Sequence, residues 1–462
     1  MNSNGGIVRL IVFCILGLTL AAISGRLAVH TVNDTPSYLN YPLESLSDAM
    51  LSIRTPGYPV FLALVSATFG ITLLPVLQVL LHAVASWALG EELLHRGMPR
   101  RSALINAFCV MIGCTAADHV NTVSTDAPAA SLGVMVAVAL MRAYRTRSTA
   151  DAVLGAALAT LTIFVRPAYL FLIPWLAFTG WLLARRQIAS DDTPHSESKS
   201  MQFQGLKMAC GIMVVVLGWM LLRQFVVSDF GIAPFGHQNL SAVLVQTVPP
   251  GTLRELPGQP GELGRRVADQ MQAQGFKSPD SENRSIPTLL LESQWGEINY
   301  GVIWPIAKEL DHQQGGPDEI APAIRVHRRI GAMNRAILSA APSGYLRWLL
   351  LAIRRAVWGT AANIAMHPIF LAMILSGLVG LIIRACTVKS LGPVCIPHGW
   401  PAFAIIAISY AIFSIGFVIL SSPPIGRFAD AGAIFLPGLA ASLLTAPRSE
   451  SAKTQNEPSE SC

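Results

Sequence analysis

Charge is scarce in this chain. Only 13% of its 462 residues are Asp, Glu, Lys or Arg, while 52% are hydrophobic. A soluble protein carries roughly 25% charged residues to wet its surface, so a soluble enzyme is excluded and lipid has to cover much of the chain. Strand-period alternation is absent, which argues against a β-barrel. The seven cysteines are odd in number, show no CxxC spacing, and all lie outside the polar stretch from Ser228 to His367. Neither a disulfide framework nor a zinc site is expected from them. No P-loop, GxSxG or HExxH motif occurs. The net charge of +6 sits in short basic caps between apolar runs, so it is read as membrane topology and not as a nucleic-acid partner.

What is abundant is apolar sequence in helix-length runs. A hydrocarbon layer of about 30 Å needs roughly 20 helical residues per crossing. The expected spans are Ile7–Val29, Ile71–Leu89, Ser102–Ala117, Ala127–Met141, Ala152–Val165, Ala168–Leu183, Met208–Val227, Pro368–Ile383, Pro401–Leu420 and Ala429–Leu444. Several are short enough to need tilt or protein shielding. The first run ends in the small residues AAIS, which imitate a signal-peptidase site, yet its length suits a retained anchor. The expectation is an all-α polytopic membrane protein of about ten transmembrane helices, with interfacial helices and a mostly helical extracytoplasmic insert.

Orientation follows from the arginines. Arg96, Arg100 and Arg101, then Arg142, Arg145 and Arg147, then Arg185 and Arg186, then Arg384 and Lys389 fall on alternate ends of successive runs, which the positive-inside rule assigns to the cytoplasm. Residues 30–70, the insert 228–367 and the turn SSPPIGRFAD then face outward. Four regions result: 1–227, an N-terminal transmembrane module with the outer loop 30–70; 228–367, the insert; 368–446, further transmembrane helices; and 447–462, a polar cytoplasmic tail. The linker SDDTPHSESKSMQ reads as a flexible connection. Within the insert, residues 324–359 mix Arg with Trp and Leu, the composition of a helix at a membrane interface. There Arg347, Arg354 and Arg355 are placed to meet lipid phosphates, with solvated arginines beside a core as the alternative. Gln78 and His82, four apart within a span, read as helix–helix hydrogen-bonding groups.

The stretch HTVNDTPSYLNYPLESLSDAMLSIRTPGYPVFLALV is dense in acids and aromatics and follows the first span directly. Asp34 opens it, Tyr38 follows, Glu44 and Asp48 stand four apart, and Arg54 precedes the rigid Pro-Gly-Tyr-Pro that contains Tyr58. A carboxylate within hydrogen-bond reach of an attacking hydroxyl can act as general base. Asp-Thr-Pro-Ser is also good turn and cap chemistry. Glu44 and Asp48 would share a helix face, either as solvated acids or positioning an acceptor. Arg54 can present a fork of donors to a phosphate or pair with one of those acids.

This loop resembles the first outer loop of the GT-C superfamily of polyprenyl-phosphate-sugar glycosyltransferases, to which the aminoarabinose transferases and protein mannosyltransferases are related. The resemblance implies that Asp34 is the catalytic carboxylate, with Tyr38, Arg54 and Tyr58 at the substrate. It implies a polyprenyl-phosphate-linked sugar donor, an extracytoplasmic acceptor of unstated identity, the lipid bilayer as partner, and a bacterial cytoplasmic (inner) membrane location with the site facing the periplasm. VSTDAPAASLGVM resembles the family's third outer motif, placing Asp126 near the outer surface, though an acid there also suits a helix N-terminus. FVRPAYLFLIP resembles its Arg-Pro turn, placing Arg166 at a membrane boundary, where a charge needs a partner. RQFVVSDFGIAPFGHQNL resembles the start of the family's outer domain, which implies His237 and Asn239 as wall residues of the sugar site, and IGRFADAGAIFLPGLA resembles its last outer turn, which implies Arg427 at the carrier phosphate.

Departures are visible. Thr35 stands where a Ser is usual, and the acid pair of the protein mannosyltransferases is missing, so protein O-mannosylation is not expected. No cofactor is implied. A divalent cation among Asp34, Glu44, Asp118, His119 and His237 stays open, although no recognised ligand spacing joins them. Two other readings of the same features are a transporter or flippase of lipid-linked saccharides and an oligosaccharide polymerase or ligase. Internal repeats, the mark of many transporters, are not seen.

Overall fold

The computed structural model of the protein describes residues 3–113, 119–190, 203–280, 284–315, 320–387 and 399–444. The described chain is helical, and its one β-contact is an isolated bridge between His30 and Thr122. The first half contains α1 (Ser3–Ile23), two short helices α2 (Thr35–Leu39) and α3 (Leu46–Leu51), α4 (Gly57–Phe69), α5 (Leu74–His95) and α6 (Arg100–Met111). After them come α7 (Asp126–Thr146), α8 (Thr149–Val165), α9 (Leu172–Ser190) and α10 (Gln204–Val227).

The insert follows as α11 (His237–Leu244), α12 (Pro250–Arg254), α13 (Gly258–Ala273) and α14 (Thr288–Glu297). A π-helical turn, Ile298–Ile303, leads into α15 (Trp304–Gln314) and α16 (Pro322–Ala340). The chain closes with α17 (Pro342–Met366), α18 (Pro368–Thr387), α19 (Trp400–Ile419), α20 (Gly426–Gly432) and α21 (Leu436–Leu444).

Among the described residues six helices are long and apolar enough to cross a membrane: Gly5–Ile23, Ile71–His95, Asp126–Thr146, Pro167–Arg186, Gln204–Val227 and Trp400–Ile419. The described chain is therefore all-helical with six candidate membrane-spanning helices, or seven if the bent pair α16 and α17 is one span, against about ten expected from the sequence. The shorter apolar helices include Thr149–Val165 and part of α18. Two expected spans are broken up. The Ser102–Ala117 run is helical only from Arg100 to Met111, and residues 114–118 lie outside the described residues. The Ala429–Leu444 run divides into α20 and α21, because Pro437 lacks an amide proton and fits only the first turn of a new helix.

Hydrogen bonds and ion pairs fix which helix ends lie together. At one end Arg9 pairs with Glu91 at 2.5 Å, and Arg145 and Arg96 both meet Glu92, at 2.8 and 3.2 Å. Glu92 is only 3% exposed, so these arginines serve a buried carboxylate and are not simply wetted caps. At the other end His30 donates its amide to Asn121 O, and Gln78 donates to the carbonyls of Val120 and Thr122. Deeper in the bundle, His82 contacts Ser131 Oγ and the Val110 carbonyl, so it bonds between helices as the sequence suggests, whereas the partners of Gln78 are carbonyls of the loop before α7. The loop 24–56 and the insert lie at this second end, called the insert end below.

The insert has its own apolar core, built from Val243, Leu263, Val267, Ile298, Val302 and Ile330, and Ile419 of α19 joins it. Helices α16 and α17 meet at an angle of 96°. Tyr345 and Trp348 of α17 donate to the carbonyls of Leu420 and Ile419, which fixes α17 at the end of span α19. Leu346, Leu350, Ile353 and Val357 form an exposed stripe along it, the spacing of one helical face. Of the arginines expected there to meet lipid phosphates, Arg355 is instead bound to Glu292 at 2.9 Å, because α14 packs against α17.

Backbones approach closely at two places, one at the far end of the bundle and one beside a cavity at the insert end. Gly205 of α10 lies against Gly180 of α9, where a Cβ on Gly205 would fall 2.2 Å from the Leu176 carbonyl. Gly57, in the Pro-Gly-Tyr-Pro turn, abuts the end of α8, and a Cβ there would stand 2.6 Å from the Phe164 backbone. Since backbone cannot yield as a side chain can, Gly57→Ala is expected to cost about 1–3 kcal/mol and lower the melting temperature in detergent. Gly218→Ala, where a Cβ meets nothing within 4 Å, is the control and should leave it unchanged or raise it.

Candidate functional site

At the insert end, the loop before α2 is held by Thr35. Its hydroxyl donates to the Val123 carbonyl at 3.0 Å and accepts from the Val32 amide at 2.9 Å. Asp34 takes the N-cap position of α2, but its side chain makes no cap hydrogen bond. The carboxylate turns to Arg54, with Oδ1 2.8 Å from Nη2. Arg54 also donates from Nε to Ser37 Oγ at 2.8 Å, and its guanidinium lies 4.4 Å over the Tyr38 ring. Tyr38 in turn meets the wholly buried Tyr58 edge-on, with ring centroids 5.1 Å apart. Burial pushes the Tyr38 hydroxyl above its ordinary pKa against the opposing charge of Arg54, so it stays a neutral donor.

Facing this loop is a second ion pair. Asp126 begins α7, where a carboxylate also favours the helix dipole, and its Oδ1 lies 2.6 Å from Arg166 Nη1. Arg166 sits in extended backbone between α8 and Pro167, the conformation a following proline favours, and donates also to Thr125 Oγ1 at 3.0 Å. Asp126 is 6% exposed, so each member of the pair would be left as a buried charge without the other.

A cavity of about 440 Å³ joins the two pairs. Asp34, Tyr38, Arg54, Asp126, Arg166 and His237 all line it, together with Asn239 from the insert. These residues come from separate stretches of the chain. Other expected residues fall elsewhere. Glu44 and Asp48 are exposed and line no part of the cavity. Ser45 caps α3 by accepting from the Asp48 amide, so the helix starts at Leu46 and Glu44 precedes it; the two acids do not share its face. Neither acid pairs with Arg54, whose partner is Asp34. Tyr58 packs behind Tyr38 and is not a wall residue. The Arg427 side chain lies outside the described residues, although Ser421 and Ser422 just before it line the cavity. Asp118 also lies outside them, and His119 lines no part of the cavity. Among the described residues no three His, Cys, Asp or Glu side chains are grouped to hold a metal ion.

Sequence reasoning missed several neighbours. Arg223, near the end of span α10, is wholly buried, pairs with Asp229 at 2.9 Å and donates to the carbonyls of Met50 and Gly231. An arginine inside the apolar run MLLRQFVV was the available signal, because such a charge needs a partner. Phe235, Trp295 and Tyr300 line the cavity from the insert, and no periodicity marks them. A separate apolar groove of about 680 Å³ between α8 and α10 runs from Thr149 and Lys207 to Phe164. The next residue, Val165, lines the cavity.

His237 stacks on His327 with centroids 4.1 Å apart, and Gly331 leaves room for its ring. Burial, reinforced by Arg335, lowers the His237 pKa. Burial, with His237, Arg223 and Arg328, pushes His327 down to about 3. A folded pKa below the ordinary 6.5 means that the unfolded chain binds the proton first, so stability is full above about pH 6.5 and falls as the pH drops towards 3. By pH 5 the loss approaches about 2 kcal/mol. The melting temperature measured between pH 8 and pH 5 should therefore fall, and His327→Gln should flatten that fall. No model of a known protein family matches the chain and no curated protein matches it, so the resemblance to the GT-C superfamily rests on the loop and turn residues themselves.

Proposed function

We propose that this protein is a GT-C-type inverting glycosyltransferase that moves a sugar from a polyprenyl-phosphate carrier to an acceptor on the extracytoplasmic face of a bacterial inner membrane. One observation carries the reading. Asp34, Arg54, Asp126, Arg166 and His237, each singled out by chemistry and resemblance, line one cavity at the end of the bundle although they lie as much as two hundred residues apart in the chain. The apolar groove that ends at Phe164, one residue before Val165 of the cavity wall, is where this reading lays the carrier's apolar chain.

In the proposed step the oxygen of an acceptor hydroxyl attacks the anomeric carbon while its proton passes to the Asp34 carboxylate. The bond between that carbon and the carrier phosphate breaks, and the phosphate leaves with the electron pair. Arg54 and Arg166 compensate the charge that develops on it. Arg54 holds Asp34 at 2.8 Å; in the proposed step the carrier phosphate competes for the guanidinium and frees the carboxylate to act as base.

Asp34→Asn keeps the shape and an oxygen for Arg54 but removes the base. Sugar transfer in purified membranes should fall by at least about 100-fold in protein that still melts in one cooperative transition. A folded variant that transfers at the full rate would remove Asp34 from the mechanism.

A further inference from the structure

The cavity is built from two chemically different halves. The helical bundle and its loop contribute all four charged groups, Asp34, Arg54, Asp126 and Arg166. The insert contributes none. Its polar and aromatic lining consists of Phe235, His237, Asn239, Trp295 and Tyr300, and burial disfavours the charged form of His237.

This uncharged wall is fixed in place. Trp295 spends its indole N–H on the Asn239 carbonyl at 3.1 Å, so the ring itself and not its donor is offered to the cavity. Asn299, wholly buried in the π-helical turn, donates from Nδ2 to Asn239 Oδ1 at 2.8 Å, which orients the Asn239 amide. That turn also carries Tyr300, which is half exposed at the cavity mouth. π-Helical turns are rare, less favourable than regular helix, and frequent at functional sites. Here the extra residue in the turn carries Asn299 inward and Tyr300 to the cavity.

An anion has its partners on the bundle side. A wall of aromatic faces with one oriented amide and one neutral imidazole suits an uncharged, hydroxylated ring, which offers C–H groups to aromatic faces and hydroxyls to the amide. We infer that the insert wall formed by Asn239, Trp295 and Tyr300 is a pyranose-binding subsite that selects the saccharide ring, opposite the arginine side that takes a phosphate. This inference rests on the transferase reading and adds which part of the chain chooses the sugar.

Two probes separate the inference from the reading beneath it. Full-length protein in detergent is titrated with farnesyl phosphate, and separately examined by saturation-transfer NMR with a panel of neutral methyl pyranosides. Wild type should bind farnesyl phosphate and at least one methyl pyranoside. Tyr300→Ala and Asn239→Leu should each weaken the pyranoside at least tenfold, because an unmet hydrogen bond or a lost ring face is costly, while farnesyl phosphate binding stays within twofold. Arg54→Gln should show the opposite pattern. If no pyranoside binds wild type, or if both wall variants bind it as wild type does while farnesyl phosphate still binds, the subsite is overturned and the transferase reading survives. If farnesyl phosphate does not bind wild type, the transferase reading itself fails.

Discussion

Two guanidinium groups, Arg54 and Arg166, have to be neutralised where the bundle meets its insert, and the structure at that end follows from how this is done. A charge without a partner at the edge of an apolar bundle is strongly disfavoured, and a bidentate donor tolerates few geometries. Arg166 meets Asp126 at 2.6 Å and Arg54 meets Asp34 at 2.8 Å. The first pair locks the end of α8 to the start of α7. The second locks the loop 30–56 onto itself through Ser37 and Tyr38. Gly57 then lets α4 press against the Phe164 backbone, which brings the two pairs to the same cavity. Both arginines are balanced by carboxylates, with their donors lining the cavity.

Helix-forming segments were legible because their signal is local. The apolar runs at residues 127–141, 208–227 and 401–420 each lie within an observed helix or overrun its end by a single residue, and the run 71–89 enters its helix at Leu74 after a short 3-10 turn, since a run of apolar side chains of that length leaves the backbone little alternative. The number of crossings was less so. Pro437 interrupts the last run, and the run after Arg100 is helical only to Met111, features that hydropathy averages away. Cap chemistry corrected another expectation: Glu44 and Asp48 are four apart, but Ser45 starts the helix between them.

The site divides in the same way. Asp34, Tyr38 and Arg54 lie within one short segment, so their spacing carried information about their contact. The partner of Arg166 stands forty residues earlier in the chain, and only packing of α7 on α8 reveals it. The neutral wall of Trp295 and Tyr300 was illegible, because a cavity lining has no period and the π-helical turn that presents it has no simple composition. Arg223 was the reverse case: its position in an apolar run announced a buried partner, and Asp229 supplies it.

The insert and the bundle thus share one cavity, with fixed charges on one side and aromatic and amide groups on the other. A transferase that uses it in the proposed way needs this end of the bundle outside the cytoplasm, where an acceptor can reach Asp34. The most direct test is sidedness. In a background without native cysteines, Ser47→Cys in the exposed start of α3 should react with an impermeant maleimide in intact cells, whereas Arg100→Cys at the opposite end should react only after permeabilisation. Labelling with the opposite pattern would place the Asp34 loop in the cytoplasm and contradict the account.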